Sequence, residues 1–273
     1  MYFTDYPYNL RVRRDKRKTG FGMVNYHIHS WYELFTVTEG MCRYWVDGNV
    51  YELHAGDTVL MSPNVPHYTL ISSEYVRINV EIRQEYFDKY FSRDAQAELM
   101  RCFGREYLHM SGDKLRRYSA YADELIGKEG ETGAFAALAY MLKILSDEYM
   151  PTYAPSYMRP LNTPDNEKLQ SIVTHIERNY RDLGSLDEIA HACYISKSHM
   201  CHMFRKELGV SVIDYANSVK LRHACNLLAD TNMNIIEIAV ECGFNSSQYF
   251  SRIFKATSGC TPNQYRSRMK KGV

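Results

Sequence analysis

The 273-residue chain reads as an α+β protein of two domains. The first is a small β-barrel with flanking helices, and the second is all-α with two helix-turn-helix units. Three observations predict this. Short alternating, β-branched or aromatic runs separated by turn residues fill roughly 26–82, the pattern of a small barrel or sandwich. From Gln84 the apolar residues fall three and four apart, the period of amphipathic helices. The C-terminal half then repeats itself at an offset of 49 to 50 residues, which marks a duplicated supersecondary unit.

The strands are expected at His27–Thr38, Met41–Val46, Thr58–Ser62 and Tyr75–Ile82. Glu39-Gly40, Asp47-Gly48-Asn49, Gly56-Asp57 and Pro63-Asn64-Val65-Pro66 serve as the turns between them. Helices follow near Gln84–Phe103, Asp113–Lys128 and Thr132–Tyr149. In the last, Phe135, Leu138, Leu142, Leu145 and Tyr149 form one stripe. It packs either on its own barrel or, given the near-heptad spacing, along a dimer seam. Residues 1–150 are thus the first domain, with the dimer seam its candidate dimerisation surface. Pro151, Pro155, Pro160 and Pro164 crowd the segment 151–164, which cannot continue a helix and reads as a linker. Residues 165–273 form the second domain, with the two units at about 185–209 and 234–259.

Composition excludes several classes. Hydrophobic residues make up 45% and charged residues 24%, as in ordinary globular proteins. No apolar run approaches the roughly 20 residues of a membrane span, and Met1–Gly20 lacks a secretory apolar core, so a cytoplasmic location with no membrane partner is expected. The seven cysteines form no C-x-x-C pair or zinc-like cluster and read as reduced small hydrophobes. Net charge is only +1 overall, but residues from Lys197 onward carry 11 Lys and Arg against 5 Asp and Glu. A basic skew there suits phosphate contact.

In the repeat, Glu188-Ile189-Ala190 and Cys193 align with Glu237-Ile238-Ala239 and Cys242 at offset 49. Past the turn, Ser196, Met200, Phe204-Arg205 and Gly209 align with Ser246, Phe250, Phe254-Lys255 and Gly259 at offset 50. Ser196 and Ser246 are placed to cap the second helix of each unit, and Gly209 and Gly259 to end it at positive φ. The exposed stripe of the second helix is Lys197, Ser198, Cys201, His202 and Arg205 in the first copy. In the second it is Ser247, Gln248, Ser251, Arg252 and Lys255. A recognition helix offers such a stripe to the major groove of double-stranded DNA. Gln248 and Arg252 can make bidentate pairs with adenine and guanine. Residues 212–229 form a connecting helix that holds the two readers about 34 Å apart, one turn of DNA.

The runs Ser185-Leu186-x-x-Ile189-Ala190, Phe204-Arg205-Lys206, Cys242-Gly243-Phe244, Tyr249-Phe250-Ser251-Arg252 and Gly259-Cys260-Thr261-Pro262-x-x-Tyr265-Arg266 resemble the DNA-binding domain of the AraC/XylS (arabinose-regulator) family over about 165–271. The resemblance implies base reading by Ser198, Cys201 and His202, then Ser247, Gln248, Ser251 and Arg252. The family often carries larger donors at the places of Ser198 and Cys201.

In the first domain, His27-x-His29-x-x-x-Glu33 with Gly40 resembles the first cupin motif, and Gly56-Asp57, Pro63, Pro66 and His67 loosely the second. The resemblance makes His27, His29, Glu33 and His67 the candidate ligands of a divalent metal. The glycine before the last histidine and the downstream asparagine of the metal-binding pattern are missing, so no cofactor is expected. A metal-free effector pocket walled by His29, Trp31, Glu33, Tyr44, Trp45, His67 and Asn79 is preferred, suited to a sugar or another small polar or aromatic effector. The resemblance to the arabinose-regulator family implies that the arm Tyr2–Lys18 folds over the barrel mouth.

The function expected is a sequence-specific transcription regulator and not an enzyme. It is a homodimer that responds to a small molecule and engages RNA polymerase if it is an activator. The alternatives are a metal-dependent cupin enzyme with a helical appendage and a regulator without a small ligand.

Overall fold

The computed structural model describes residues 7–17, 28–46, 49–65, 67–70, 73–104, 107–131, 133–147 and 164–271. Seven strands come first: β1 (Leu10–Arg17), β2 (Tyr32–Val46), β3 (Asn49–His54), β4 (Asp57–Met61), β5 (His67–Leu70), β6 (Tyr75–Ile82) and β7 (Tyr107–His109). Between and after the last two lie α1 (Gln84–Tyr90), α2 (Arg93–Leu99), α3 (Gly112–Leu125) and α4 (Ala134–Asp147). One antiparallel path runs β1-β6-β2-β4-β7, while β3 and β5 pair with the far half of β2.

β2 is the hinge of this domain. Its first half pairs with β4 and β6, and its second half, from Met41, pairs with β3 and β5. Glu39-Gly40 is therefore not a turn between strands but a bend inside one, with a register shift between Val37 and Glu39. Gly40 sits at φ +73°, and a Cβ there would meet the Glu74 carbonyl oxygen at 2.3 Å. Only glycine lets the strand turn this corner.

Alternation divides the residues of β1, β2, β4 and β6 into two faces. Leu10, Val12, Leu34, Leu60, Ile78, Val80 and Ile82 are buried in one cluster with residues of α1–α4. Phe35, Val37, Tyr44, Val59, Met61 and Tyr75 form a separate cluster inside the barrel. The helical stripe expected on α4 belongs to the first cluster: Leu138, Leu142 and Leu145 are fully buried there. Phe135 stacks on Tyr90 at 5.5 Å. These side chains pack on the domain itself, and Tyr149 lies outside the described residues. The helix expected over Gln84–Phe103 is broken at Phe91-Ser92, where Ser92 caps α2. The expected arm is corrected in part: Leu10–Arg17 is a strand paired along its whole length with β6.

The linker expected at 151–164 lies outside the described residues except for its last position. Pro164 opens α5 (Pro164–Asn179), as proline can at a first helical turn. Then come α6 (Leu186–Ala192), α7 (Lys197–Leu208), α8 (Val212–Asp230), α9 (Ile235–Glu241), α10 (Ser247–Ser258) and α11 (Pro262–Lys271). Among the described residues no helix is long and apolar enough to cross a membrane.

The two halves touch. Ile28, Trp45 and Tyr68 from the barrel are buried in the same cluster as the core of α5–α11. Trp45 stacks on Tyr68 at 5.1 Å and meets Tyr215 of α8 edge-on at 5.5 Å. Tyr68 donates to the Leu208 carbonyl oxygen, and Tyr265 donates to Asn64 Oδ1.

Candidate functional site

The two helix pairs are built from local rules that repeat. Ser185 and Asn234 each form a capping box with Glu188 and Glu237, starting α6 and α9. Ser196 accepts from the His199 N–H and Ser246 from the Tyr249 N–H, starting α7 and α10. Gly209 at φ 67° and Gly259 at φ 73° end them. The turns match as well: Tyr194 (φ 54°) and Gly243 (φ 72°) take the left-handed position, and Ile195 and Phe244 donate back to Ala190 and Ala239. The extra residue that changes the offset from 49 to 50 therefore lies between Phe244 and Ser246. Gly243 is required in its turn because a Cβ would meet the Arg181 carbonyl oxygen at 2.1 Å.

Burial fixes which face of each second helix remains free. Met200, Met203, Phe204 and Leu208 are buried in α7, and Phe250, Phe254 and Ser258 in α10. Ile253, between them in α10, is only half-buried. On the other side Lys197, Ser198, His202 and Arg205 are exposed and Cys201 is half-buried; Gln248, Arg252 and Lys255 are exposed and Ser247 and Ser251 half-buried. Lys197 holds Asp187 of α6 at 2.9 Å. The Arg252 guanidinium lies 5.3 Å from the centre of the Tyr249 ring, and Tyr249 OH accepts from Asn217 of α8. That chain positions Arg252 on a framework of α8 and α10.

In the barrel three side chains converge. His29 Nε2 lies 2.8 Å and His67 Nε2 3.3 Å from Glu33 Oε2, and the two Nε2 atoms are 3.2 Å apart. One donor atom from each residue falls within 4.8 Å of the others, and all three side chains are buried. His29 Nδ1 faces the Trp31 carbonyl oxygen at 3.0 Å and His67 Nδ1 the Val65 carbonyl oxygen at 2.8 Å. Carbonyls only accept, so both Nδ1 atoms carry hydrogen. Burial holds the His29 imidazole below its usual pKa against the pull of Glu33. Burial acts to raise the Glu33 carboxyl, but the adjacent His29 and His67 rings outweigh it and hold it well below the usual carboxylate range.

The other residues expected in the pocket divide. Trp31 stacks on His29 with centroids 4.3 Å apart. Tyr44 lies parallel to His67 at 6.1 Å and against Phe35 at 4.5 Å. Asn79 lies opposite Phe35 in the β2–β6 register and is buried. Trp45 does not join them: it follows Tyr44 in β2, so alternation turns it outward, onto Tyr68 and Tyr215. His27 lies outside the described residues. Arg11, Arg13 and Arg77, which sequence reasoning did not single out, line the same interior; the alternation Arg11-x-Arg13-x-Asp15 was the available signal.

A β-domain with a polar interior joined to a pair of helix-turn-helix units defines a ligand-binding DNA-binding protein. Residues 11–121 match the AraC-like ligand binding domain and residues 189–268 a helix-turn-helix domain. The chain therefore carries an AraC-like ligand-binding domain and a helix-turn-helix domain, and the relatives it matches are named as transcriptional regulators. The uncharacterized HTH-type transcriptional regulator YfiF of Bacillus subtilis strain 168 is 26% identical over 262 residues, 89% of this chain and 79% of that protein. The arabinose operon regulatory protein of Salmonella typhimurium strain LT2 is 32% identical over 108 residues, 40% of this chain and 37% of that one. Among solved structures, ToxT from Vibrio cholerae O395 matches over 97% of this chain and 99% of that chain, at 15% identity and a TM-score of 0.40.

Proposed function

We propose that the protein is a sequence-specific transcription regulator whose DNA contacts are made by α7 and α10 and whose response is set by a small molecule in the barrel. The observation that carries the DNA reading is the coincidence, in both copies, of a capped helix, a buried apolar face and an exposed polar stripe at equivalent positions. Gln248 and Arg252 supply bidentate base chemistry in the second copy. Ser198, Cys201 and His202 supply single contacts in the first, with Lys197, Arg205 and Lys255 near the backbone. The protein acts as a homodimer, and if it is an activator it engages RNA polymerase. Fluorescence anisotropy with DNA from upstream of its own and neighbouring genes tests this. Specific binding that weakens steeply with salt is expected, and its persistence after Gln248→Ala and Arg252→Ala together would sink the assignment.

A second reading, a divalent metal in the barrel, is favoured by one feature. Each Nδ1–H is held by a backbone carbonyl, the arrangement that orients imidazoles toward a metal through Nε2. His29, Glu33 and His67 fit such an ion by donor type and spacing. Bound there, it would stiffen the loop 63–67 and present a Lewis acid to an effector. Cobalt(II) titration of the metal-stripped protein, followed by its visible d–d bands, decides: no band change attributable to these ligands removes the metal.

A further inference from the structure

β1 and β6 run antiparallel with Arg11 opposite Glu81, Arg13 opposite Asn79, Asp15 opposite Arg77 and Arg17 opposite Tyr75. Opposed residues share a face of the sheet. This is the barrel face, because the alternate positions Leu10, Val12, Ile78 and Val80 are buried among the helices on the other side. One wall of the barrel therefore carries four guanidiniums and two carboxylates.

The carboxylates are shared out completely. Glu81 takes Arg11 through both oxygens and also meets Arg13 at 3.3 Å. Asp15 meets Arg77 at 3.2 Å and Arg17 at 3.3 Å. Across the interior, Glu33 is engaged by His29 and His67, and Asp57 by Tyr107 and His109. Among the described residues, no carboxylate is left over for the remaining guanidinium donors. Arg13 Nε and Arg77 Nε are both buried without a hydrogen-bond partner, and so is the Oδ1 of Asn79.

Arg13 and Arg77 are diagonal neighbours across the β1–β6 pair with Asn79 between them, within reach of one another's long side chains. Two cationic donors and one neutral acceptor thus remain unmet on one small area. A buried polar group without a partner carries a desolvation cost, and more so a charged one. The three together describe what is missing: an anion that accepts from both guanidiniums and, next to it, a hydroxyl that donates to Asn79. The Arg77 guanidinium lies over the buried Phe35 ring at 5.0 Å.

We propose that this wall binds a small hydroxylated carboxylate, the chemistry of a sugar acid, with Arg13 and Arg77 on the carboxylate and Asn79 on a neighbouring hydroxyl. The proposal rests on the reading of the barrel as an effector domain. It narrows the expected effector from a sugar in general to an acidic one.

The test is isothermal titration of the full chain with D-glucuronate, D-gluconate, D-glucose and glucose 6-phosphate at fixed pH and ionic strength. The two acids are expected to bind, with D-glucose at least about tenfold weaker. Arg13→Gln and Asn79→Asp are each expected to weaken acid binding by about tenfold or more, the scale of a charge-assisted hydrogen bond. Asn79→Asp keeps the side-chain shape and Arg13 is partly exposed, so both variants retain the fold, which a thermal melt confirms. Equal binding of D-glucose, tighter binding of the phosphate, no binding by either acid, or unchanged acid binding in both variants overturns the proposal. DNA affinity measured on the same preparation separates the two readings: its absence strikes the regulator, while the calorimetry still decides the ligand class.

Discussion

Tyr68 of the barrel donates its hydroxyl hydrogen to the carbonyl oxygen of Leu208, the last residue of α7. Its neighbour His67 turns the opposite way and meets Glu33 inside the barrel. Two consecutive residues of one short strand therefore face the barrel interior and the helical half. The preceding loop does the same: the Asn64 N–H donates to the His29 carbonyl oxygen at 2.8 Å, while its side chain accepts from Tyr265.

This contact is expected to couple the unfolding of the halves. Tyr68→Phe keeps the stack on Trp45 and loses one hydrogen bond, at a cost of about 1 kcal/mol. Trp45→Ala removes a fully buried ring and is expected to cost about 3–5 kcal/mol, splitting the thermal transition in two. Calorimetric scans of the two variants read this directly. A single unshifted transition in Trp45→Ala would mean the halves do not share a core.

Base reading is expected to be unequal between the two units. Arg252→Ala and Gln248→Ala should each relax discrimination at particular base pairs by about 1–3 kcal/mol, without lowering the melting temperature. His202→Ala should change discrimination less. Lys255→Ala should weaken binding evenly across sequences and lower the salt slope by about one unit. Anisotropy titrations against single-base operator variants distinguish the two kinds of effect.

The cysteines give a probe of the same surface. Cys42, Cys102, Cys225, Cys242 and Cys260 are buried, whereas Cys193 and Cys201 are half-buried. Burial pushes the thiols of Cys42, Cys225 and Cys242 up to about 12 and that of Cys102 to about 11. Since the thiolate is the reactive form, alkylation of native protein is expected at Cys201 and Cys193 first. Modification of Cys201, on the exposed side of α7, should abolish DNA binding, and Cys201→Ser should protect against it. Mass mapping of alkylated peptides checks the order.

The bend in β2 is expected to tolerate no side chain. Gly40→Ala places a Cβ against the Glu74 carbonyl at a positive φ, and should cost more than about 1 kcal/mol. Urea titration of the variant measures it. A neutral effect would mean that β2 relaxes at this corner.

Much of the helical half was legible before any coordinates, because its rules are local. Caps at Ser196 and Ser246, left-handed glycines at 209 and 259 and the apolar spacing of Phe204 and Phe254 act within a few residues of themselves. Repetition then checked each signal against its twin. The barrel was less legible. Alternation identified strands but not which side was inward, and so placed Trp45 beside His29 when it faces the other half of the molecule. It also let Leu10–Arg17 pass as a basic arm, since a strand with charges at most positions becomes recognisable only beside its partner β6.

By itself, then, the sequence determined the twin helix-turn-helix units, the polar stripes they expose and the presence of a histidine-rich barrel, all consequences of short-range spacing. Only the tertiary structure decided that His29, Glu33 and His67 meet in one place. It alone set Arg13, Asn79 and Arg77 on a single wall with donors unmet, and put Tyr68 against Leu208. Those relationships join residues far apart in the chain, and strand register and packing across the core, which no local pattern encodes, bring them together.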